Sequence, residues 1–386
     1  MKLSRRDFLK LGGITLVAVA GGSVIRAVDQ GLFSVGQGPA YEPWRNWRDA
    51  GSPVERIVAA GILASNPHNS QPWLFRISGS TIDLFAVAER QIGVIDPFRR
   101  EMYIGLGCAI ENMRLAAEAE GFTPDIRLMP DLTTETHAAS ISLAAASPAT
   151  SPLYEALPNR HTNRAAYDTS RPVVEDIFTG IDSLLTESDV RLFWLKDESA
   201  RAKFGEVAVS AAEALIADEQ QSMDSHRWWR QDWDQLQGSA DGITLDVQGL
   251  GSFISGIAKF LPDLSRQQND DSFVKNVREI MIPTAAGFGI LAVRDGMDNF
   301  QRLQCGQAWQ RIHLWGTTQG LAMQPLNQMC ERADREVQLG SEPVLRRAVA
   351  GLIGDETWHG IMPFRLGYPT VVALPSPRRG LDQVIG

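Results

Sequence analysis

Cysteine is scarce in this 386-residue chain: Cys108, Cys305 and Cys330 are an odd set with no C-x-x-C pair. Such a set implies neither a disulfide framework nor a zinc site. Histidine is equally thin, and His137, His226, His313 and His359 lack the i,i+4 or carboxylate spacing of metal ligands, so no metal site is expected. No basic run occurs beyond the first residues and the formal net charge is -9, which argues against a phosphate-neutralising surface for nucleic acid. Neither a G-x-S-x-G elbow nor a G-x-x-x-x-G-K-[ST] loop is present, so hydrolase and nucleotide triphosphatase readings have no starting point.

What is present begins with Ser4-Arg5-Arg6-Asp7-Phe8-Leu9-Lys10, followed by an uncharged apolar stretch over residues 11–25. A basic n-region and a short h-region predict an export signal over residues 1–28, and its S-R-R-x-F-L-K form resembles the twin-arginine type. A membrane anchor is the alternative, although the run falls short of the roughly 20 residues of a spanning helix. The expected location is therefore periplasmic, or tethered on the outer side of the cytoplasmic membrane, with the twin-arginine translocase as a partner. The full chain is 44% hydrophobic and 22% charged, ordinary for globular protein and long enough for two cores or one large one.

Residues 29–42 read as a Gly-, Pro- and Gln-rich linker, with order beginning near Pro43. A helix is predicted over residues 53–63 from the spacing of Val54, Ile57, Val58 and Ile62. Strands follow at 73–77 and 81–87, then a helix over 103–120 that stops at Gly121, and an alternating segment at 139–145. This order suggests an α+β fold rather than a Rossmann repeat. A second half, residues 151–386, echoes the first (43–150) at an offset of 199: Gly107, Ala109, Leu115 and Gly121 correspond to Gly306, Ala308, Leu314 and Gly320. The β-rich stretch after the second helix is placed at 366–374. Residues 211–299 have no counterpart in the first half and carry Trp228, Trp229 and Trp233 at near-helical spacing. They predict either a helical insertion with a local tryptophan core or a cap over a site.

Two segments carry the chemistry. Ser65-Asn66-Pro67-His68-Asn69-Ser70-Gln71-Pro72-Trp73 joins a helix to a strand, and its backbone N–H groups and short polar side chains suit the edge of a planar heterocycle. Asn159-Arg160-His161-Thr162-Asn163-Arg164 sets two arginines four apart around a threonine, read as the start of a helix, where they form either a phosphate fork or a solvated face.

The first segment resembles the S-x-x-N-x-Q-P-W flavin loop of the nitroreductase superfamily at Asn69, Gln71, Pro72 and Trp73, with Asn66 where many members have serine. The second resembles that family's R-R-S-x-R phosphate motif at Arg160, Thr162 and Arg164, with His161 and Thr162 as departures. The family splits these motifs between the subunits of a homodimer, whereas this chain has one of each in different halves. The resemblance, closest to the Acg-type branch, thus implies a nitroreductase-like α+β fold, an internal pseudo-dimer with one intact and one lost FMN site, and a monomer.

It further implies FMN contacts from Asn66, Pro67, His68, Asn69, Gln71, Arg160, His161, Thr162, Arg164, Asn327, Gln328, Arg378 and Arg379. Read alone, the Arg378-Arg379 pair is as well explained by a solvated terminus. No catalytic residue is implied, His68 and Asn327 being near-flavin candidates only. The implied activity is an FMN-dependent oxidoreductase acting on a small nitroaromatic or quinone-like acceptor. The alternative is a non-catalytic FMN-binding or storage protein, because the NADH or NADPH that the family uses is not expected in quantity outside the cytoplasm.

Overall fold

The computed structural model describes residues 35–131, 133–250 and 263–386. The expected export signal over residues 1–28 lies outside the described residues, as do the first part of the expected linker and residues 251–262 of the insertion. Order begins before Pro43: Ala40 and Tyr41 are already buried against Leu236 and Ala240.

In the first half, α1 (Pro53–Gly61) starts at a capping box, in which Ser52 accepts from the Glu55 amide and the Glu55 side chain accepts from the Ser52 amide. The hairpin β1 (Trp73–Ser78) and β2 (Thr81–Ala86) follows, then α2 (Arg100–Ala119), β3 (Phe122–Leu128) and β4 (His137–Ala145). In the second half α3 (Glu175–Asp182) leads to β5 (Val190–Leu195), and after the insertion come β6 (Gly287–Val293), α7 (Asn299–Thr318), β7 (Ala322–Pro325) and β8 (His359–Gly367). Both sheets are antiparallel and share one topology, β1-β2-β4-β3 and β5-β6-β8-β7. The fold is α+β and internally duplicated.

Two elements differ from the sequence expectation. Strand β3 was hidden by Pro124 and Asp125, which disfavour a central strand, but β3 is an edge, where a missing N–H does no harm. The last strand runs over His359–Gly367 rather than 366–374, leaving the sheet just before Pro369, which has no N–H for the ladder.

The halves meet where α2 crosses α7, and the repeat explains how. A Cβ on Gly107 would lie 2.1 Å from the Leu303 carbonyl oxygen and 2.9 Å from Gly306 Cα. A Cβ on Gly306 would lie 2.0 Å from the Ile104 carbonyl oxygen and 2.9 Å from Gly107 Cα. Only paired glycines allow the backbones so close, which puts the pseudo-two-fold at the residues that repeat. The large buried side chains Trp73 and Trp309 belong to the one core that spans this crossing.

The insertion packs α4 (Glu198–Ala217), α5 (Glu219–His226) and α6 (Arg266–Asn276) beside the second sheet and then reaches across to the first half. Among the described residues its tryptophans share no single core. Helix α5 ends at His226, so Trp228 packs on Ile92 and Ile95, Trp229 faces a cavity, and Trp233 packs beside Tyr41 and Leu236. Asp241 pairs with both Arg90 and Arg230, pinning the insertion to the first half.

Candidate functional site

The loop between α1 and β1 is held in a conformation that ordinary residues avoid. His68, Asn69 and Gln71 have φ of 48°, 54° and 50°, in the left-handed region. Each such non-glycine residue costs of order 1 kcal/mol or more, least for asparagine, and persists only where surroundings over-determine it. They do so here: Asn66 Oδ1 accepts from the Gln71 amide at 2.8 Å, Asn69 Nδ2 donates to the Pro377 carbonyl at 2.9 Å, and Gln71 Nε2 donates to the Ala240 carbonyl at 2.8 Å. The Arg379 amide closes the set on Gln71 Oε1 at 2.9 Å.

Two of the expected flavin contacts lie away from the cavities. Gln71 and Arg379 line neither cavity of the site; they bind the loop to the carboxyl-terminal segment, and Arg379 turns its guanidinium to the Gln71 and Gln383 carbonyls. Asn66, Pro67 and His68 line the main cavity, and Asn69 lines a smaller one beside it.

The smaller cavity, about 40 Å³, is walled by Arg160, Arg164 and Arg378 together with His161, Thr162 and Trp44. The segment that supplies the first two arginines is not the start of a helix. A 3-10 turn over Leu157–Asn159 ends in Arg160 at φ -76°, ψ 103°, so the chain passes extended and no helix dipole points at the cavity. The positive charge comes from side chains alone. Arg160 donates to the Leu63 carbonyl at 3.3 Å, Arg164 to the Val247 carbonyl at 3.3 Å, and Arg378 to the Ala64 carbonyl at 3.1 Å and to Asn69 Oδ1.

Among the described residues no carboxylate pairs with any of the three. The Nε atoms of Arg160 and Arg378 are buried without a partner. Burial pulls the Arg160 and Arg164 guanidinium groups down to about 10, and burial beside Arg160 pulls Arg378 well below its ordinary value. Desolvation, then the neighbouring arginines, holds His161 down to about 3; desolvation, then Arg164, holds His68 down to about 4. Both imidazoles are neutral at pH 7. Three converging cations with unused donors are an arrangement that an anion completes.

Ser65, Asn66, Thr162, Arg164 and Ile243 line both cavities, which makes them one continuous site. The main cavity, about 220 Å³, draws Gly105 and Cys108 from α2, Trp309 from α7, and Asn327 and Gln328 from the start of α8 (Gln328–Leu339). Trp229, Ile243 and Phe273 of the insertion complete its wall. Trp309 Nε1, Asn327 Oδ1 and Gln328 Nε2 are buried and unpartnered among the described residues. Gln324 also lines the cavity and is oriented by Arg365, whose Nε donates to its Oε1 at 2.8 Å.

Arg365, Glu101 and Glu331 were not singled out from sequence. Arg365 sits in an otherwise apolar strand, and that lone charge in a buried run was the available signal. The two glutamates carried none, because nothing local shows that the first turns of α2 and α8 converge. Among the described residues no group of three metal-ligating side chains occurs, and no helix is long and apolar enough to cross a membrane.

The fold and site define an internally duplicated α+β protein with a cationic cavity opening into a larger, mixed one. No family model matches the chain. It is 25% identical over 341 residues to Rv3131 of Mycobacterium tuberculosis strain H37Rv, provisionally named an NAD(P)H nitroreductase, covering 86% of this chain and 90% of that protein. It is 30% identical over 93 residues to acg of the same strain, likewise provisionally named, covering 24% of this chain and 28% of that one. Among solved structures, the FMN- and NADPH-dependent nitroreductase NfnB of a Sphigopyxis species matches at 18% identity and TM-score 0.39, over 61% of this chain and 97% of that one. A nitroreductase of Desulfitobacterium hafniense with bound FMN matches at 11% identity and TM-score 0.37, over 62% and 98%. Over most of its length the chain is thus similar to a protein provisionally named an NAD(P)H nitroreductase.

Proposed function

We propose that this chain is an FMN-binding oxidoreductase of the nitroreductase superfamily, holding one flavin per chain and reducing a small nitroaromatic or quinone-like acceptor. The observation that carries this reading is the set of three converging arginines, Arg160 and Arg378 buried and Arg164 half-buried, unpaired with any carboxylate among the described residues, at the end of a cavity built from both halves. Arg160, Arg164 and Arg378, with Thr162 and neutral His161, hold the phosphate. Asn66, Pro67 and His68 from one half, and Asn327 and Gln328 from the other, line the cavity that would take the flavin's ring system. FMN, when bound, supplies the two-electron redox chemistry; the protein supplies orientation, charge and exclusion of water.

A second reading, a non-catalytic FMN-binding or storage protein, draws support from the insertion, whose Trp229, Ile243, Gln248 and Phe273 wall the cavity and restrict an acceptor. Export by the twin-arginine route and a monomeric state belong to the same proposal, since the fused halves already provide both sides of the site. Anaerobic titration with NADPH and other donors decides between the readings. Flavin bands that bleach and recover with a quinone support the enzyme; bands that resist reduction support storage. A stable dimer in light scattering at low concentration would contradict the fused-pair reading.

A further inference from the structure

The insertion lines the main cavity with the aromatic side chains of Trp229 and Phe273, and with a small polar group at the end of α5. That group is Ser225 and His226, the last two residues of α5, together with Asn269 and Asp270 of α6. Three of the four find their partners within the protein. Asp270 accepts from Ser222 Oγ, which accepts in turn from Arg266 at 2.8 Å, and Arg266 itself lies 3.9 Å from Asp270. Ser225 Oγ meets His68 Nε2, in the loop after α1, at 3.2 Å, and so docks the end of α5 on that loop. Asn269, only 7% exposed, donates from Nδ2 to His226 Nδ1 at 3.1 Å.

The last contact fixes the chemistry of the fourth residue. An amide N–H can only donate, so His226 Nδ1 is the acceptor and the imidazole carries its proton on Nε2. No group among the described residues accepts from that Nε2. His226 therefore keeps one N–H donor open on a wall that is otherwise apolar or satisfied from within. Such a wall suits a small, flat, neutral ligand with one polar point of attachment.

We propose that His226 binds the electron acceptor, its Nε2–H donating to a carbonyl or nitro oxygen of a neutral aromatic molecule lodged against Trp229 and Phe273. Asn269 is the positioning residue that keeps the proton on Nε2. The inference rests on the function proposed above and deepens it by naming the acceptor's point of attachment. Negative charge builds on that oxygen as electrons arrive, so the hydrogen bond strengthens in the transition state and raises the rate as well as the affinity. An acceptor without such an oxygen gains nothing from it.

The test uses the purified full chain loaded with FMN, reduced stoichiometrically with dithionite in the absence of oxygen, and mixed in stopped flow with 1,4-benzoquinone or with ferricyanide. In His226→Leu the second-order rate of reoxidation by benzoquinone should fall about 10-fold or more, the worth of one hydrogen bond, while the ferricyanide rate and FMN affinity stay within about a factor of two. His226→Gln, which keeps an N–H, should recover part of the benzoquinone rate. Asn269→Leu, which frees the proton to move to Nδ1, should lose about three-fold with benzoquinone and nothing with ferricyanide. Should His226→Leu fail to fold, the Gln and Asn269 variants carry the same comparison between acceptors. A benzoquinone rate like that of the wild type, or equal slowing with both acceptors, would overturn the assignment while the proposed function stands. Loss of FMN affinity in His226→Leu would overturn it as well, by moving His226 to the flavin. A wild-type chain that takes up no FMN, or whose reduced form benzoquinone does not reoxidise, would overturn the proposed function and this assignment with it.

Discussion

The contact between α2 and α7 occurs twice, once on each side of the pseudo-two-fold, and the two versions are chemically opposite. On one side Arg311 meets Glu111 at 3.1 Å, and Glu111 also pairs with Arg114 at 2.8 Å. Arg311 further pairs with Glu187 at 3.0 Å and donates to the Leu184 carbonyl at 2.7 Å, closing the loop that follows α3. Shifted by the 199-residue repeat, the same contact becomes Gln310 Nε2 donating to Asn112 Oδ1 at 2.7 Å. Asn112 then donates to the Ala60 carbonyl at 2.9 Å, and Gln310 accepts from the Ser65 amide at 3.4 Å.

Where the knot is charged, the cations are spent on protein carboxylates. Despite burial, Arg114 and Arg311 hold Glu111 below the usual carboxylate value. Where the contact is neutral, it reaches the loop after α1 through Ser65, and Arg160, Arg164 and Arg378 beside that loop pair with no carboxylate among the described residues. One backbone plan thus gives a self-neutralised side and a side awaiting a ligand.

The comparison breaks most completely at the axis itself. Gly306→Ala puts a Cβ into the Ile104 carbonyl and should cost about 3 kcal/mol or more, read as a fall in denaturation midpoint, on both sides at once. Next comes the pair Arg160→Met and Arg378→Met, which should weaken FMN binding about 1,000-fold or more in fluorescence titration. The same change should leave the flavin-free protein no less stable, because it removes buried, unpaired charge. Glu111→Gln should do the reverse, costing about 3 kcal/mol of stability by stranding Arg311 while FMN affinity stays within a factor of a few.

The effect confined to low pH is on acid stability. His161 and His68 titrate lower folded than unfolded, so the unfolded chain binds more protons as pH falls below about 6.5, and stability drops from there towards pH 4. Each should cost about 2 kcal/mol by pH 5. Saturating FMN should shrink that loss, since a phosphate beside His161 favours the imidazolium.

Much of this was legible in sequence because it rested on local pattern or on repetition. Gly107 and Gly306 marked equivalent positions in the two halves, without showing that they meet, and the Asn66–Gln71 and Arg160–Arg164 runs were the segments that the fold brings to the two cavities. What stayed hidden depended on distant partners. Pro124 concealed β3 because an edge position cannot be read from seven residues, and the tryptophans of the insertion anchor to Ile92, Ile95 and Tyr41, whose positions only the fold reveals. Gln71 and Arg379 look like ligands by motif and neighbourhood, but they spend their hydrogen bonds on each other's segments.

The most direct test of a one-sided pseudo-dimer is the number of flavins per chain, measured from the visible absorption of the purified native protein after saturation with FMN and removal of the excess. One FMN per chain is the predicted result, falling to none in the Arg160/Arg378 double variant and unchanged in Glu111→Gln. Two per chain would contradict the filled side, and none would contradict the flavin site.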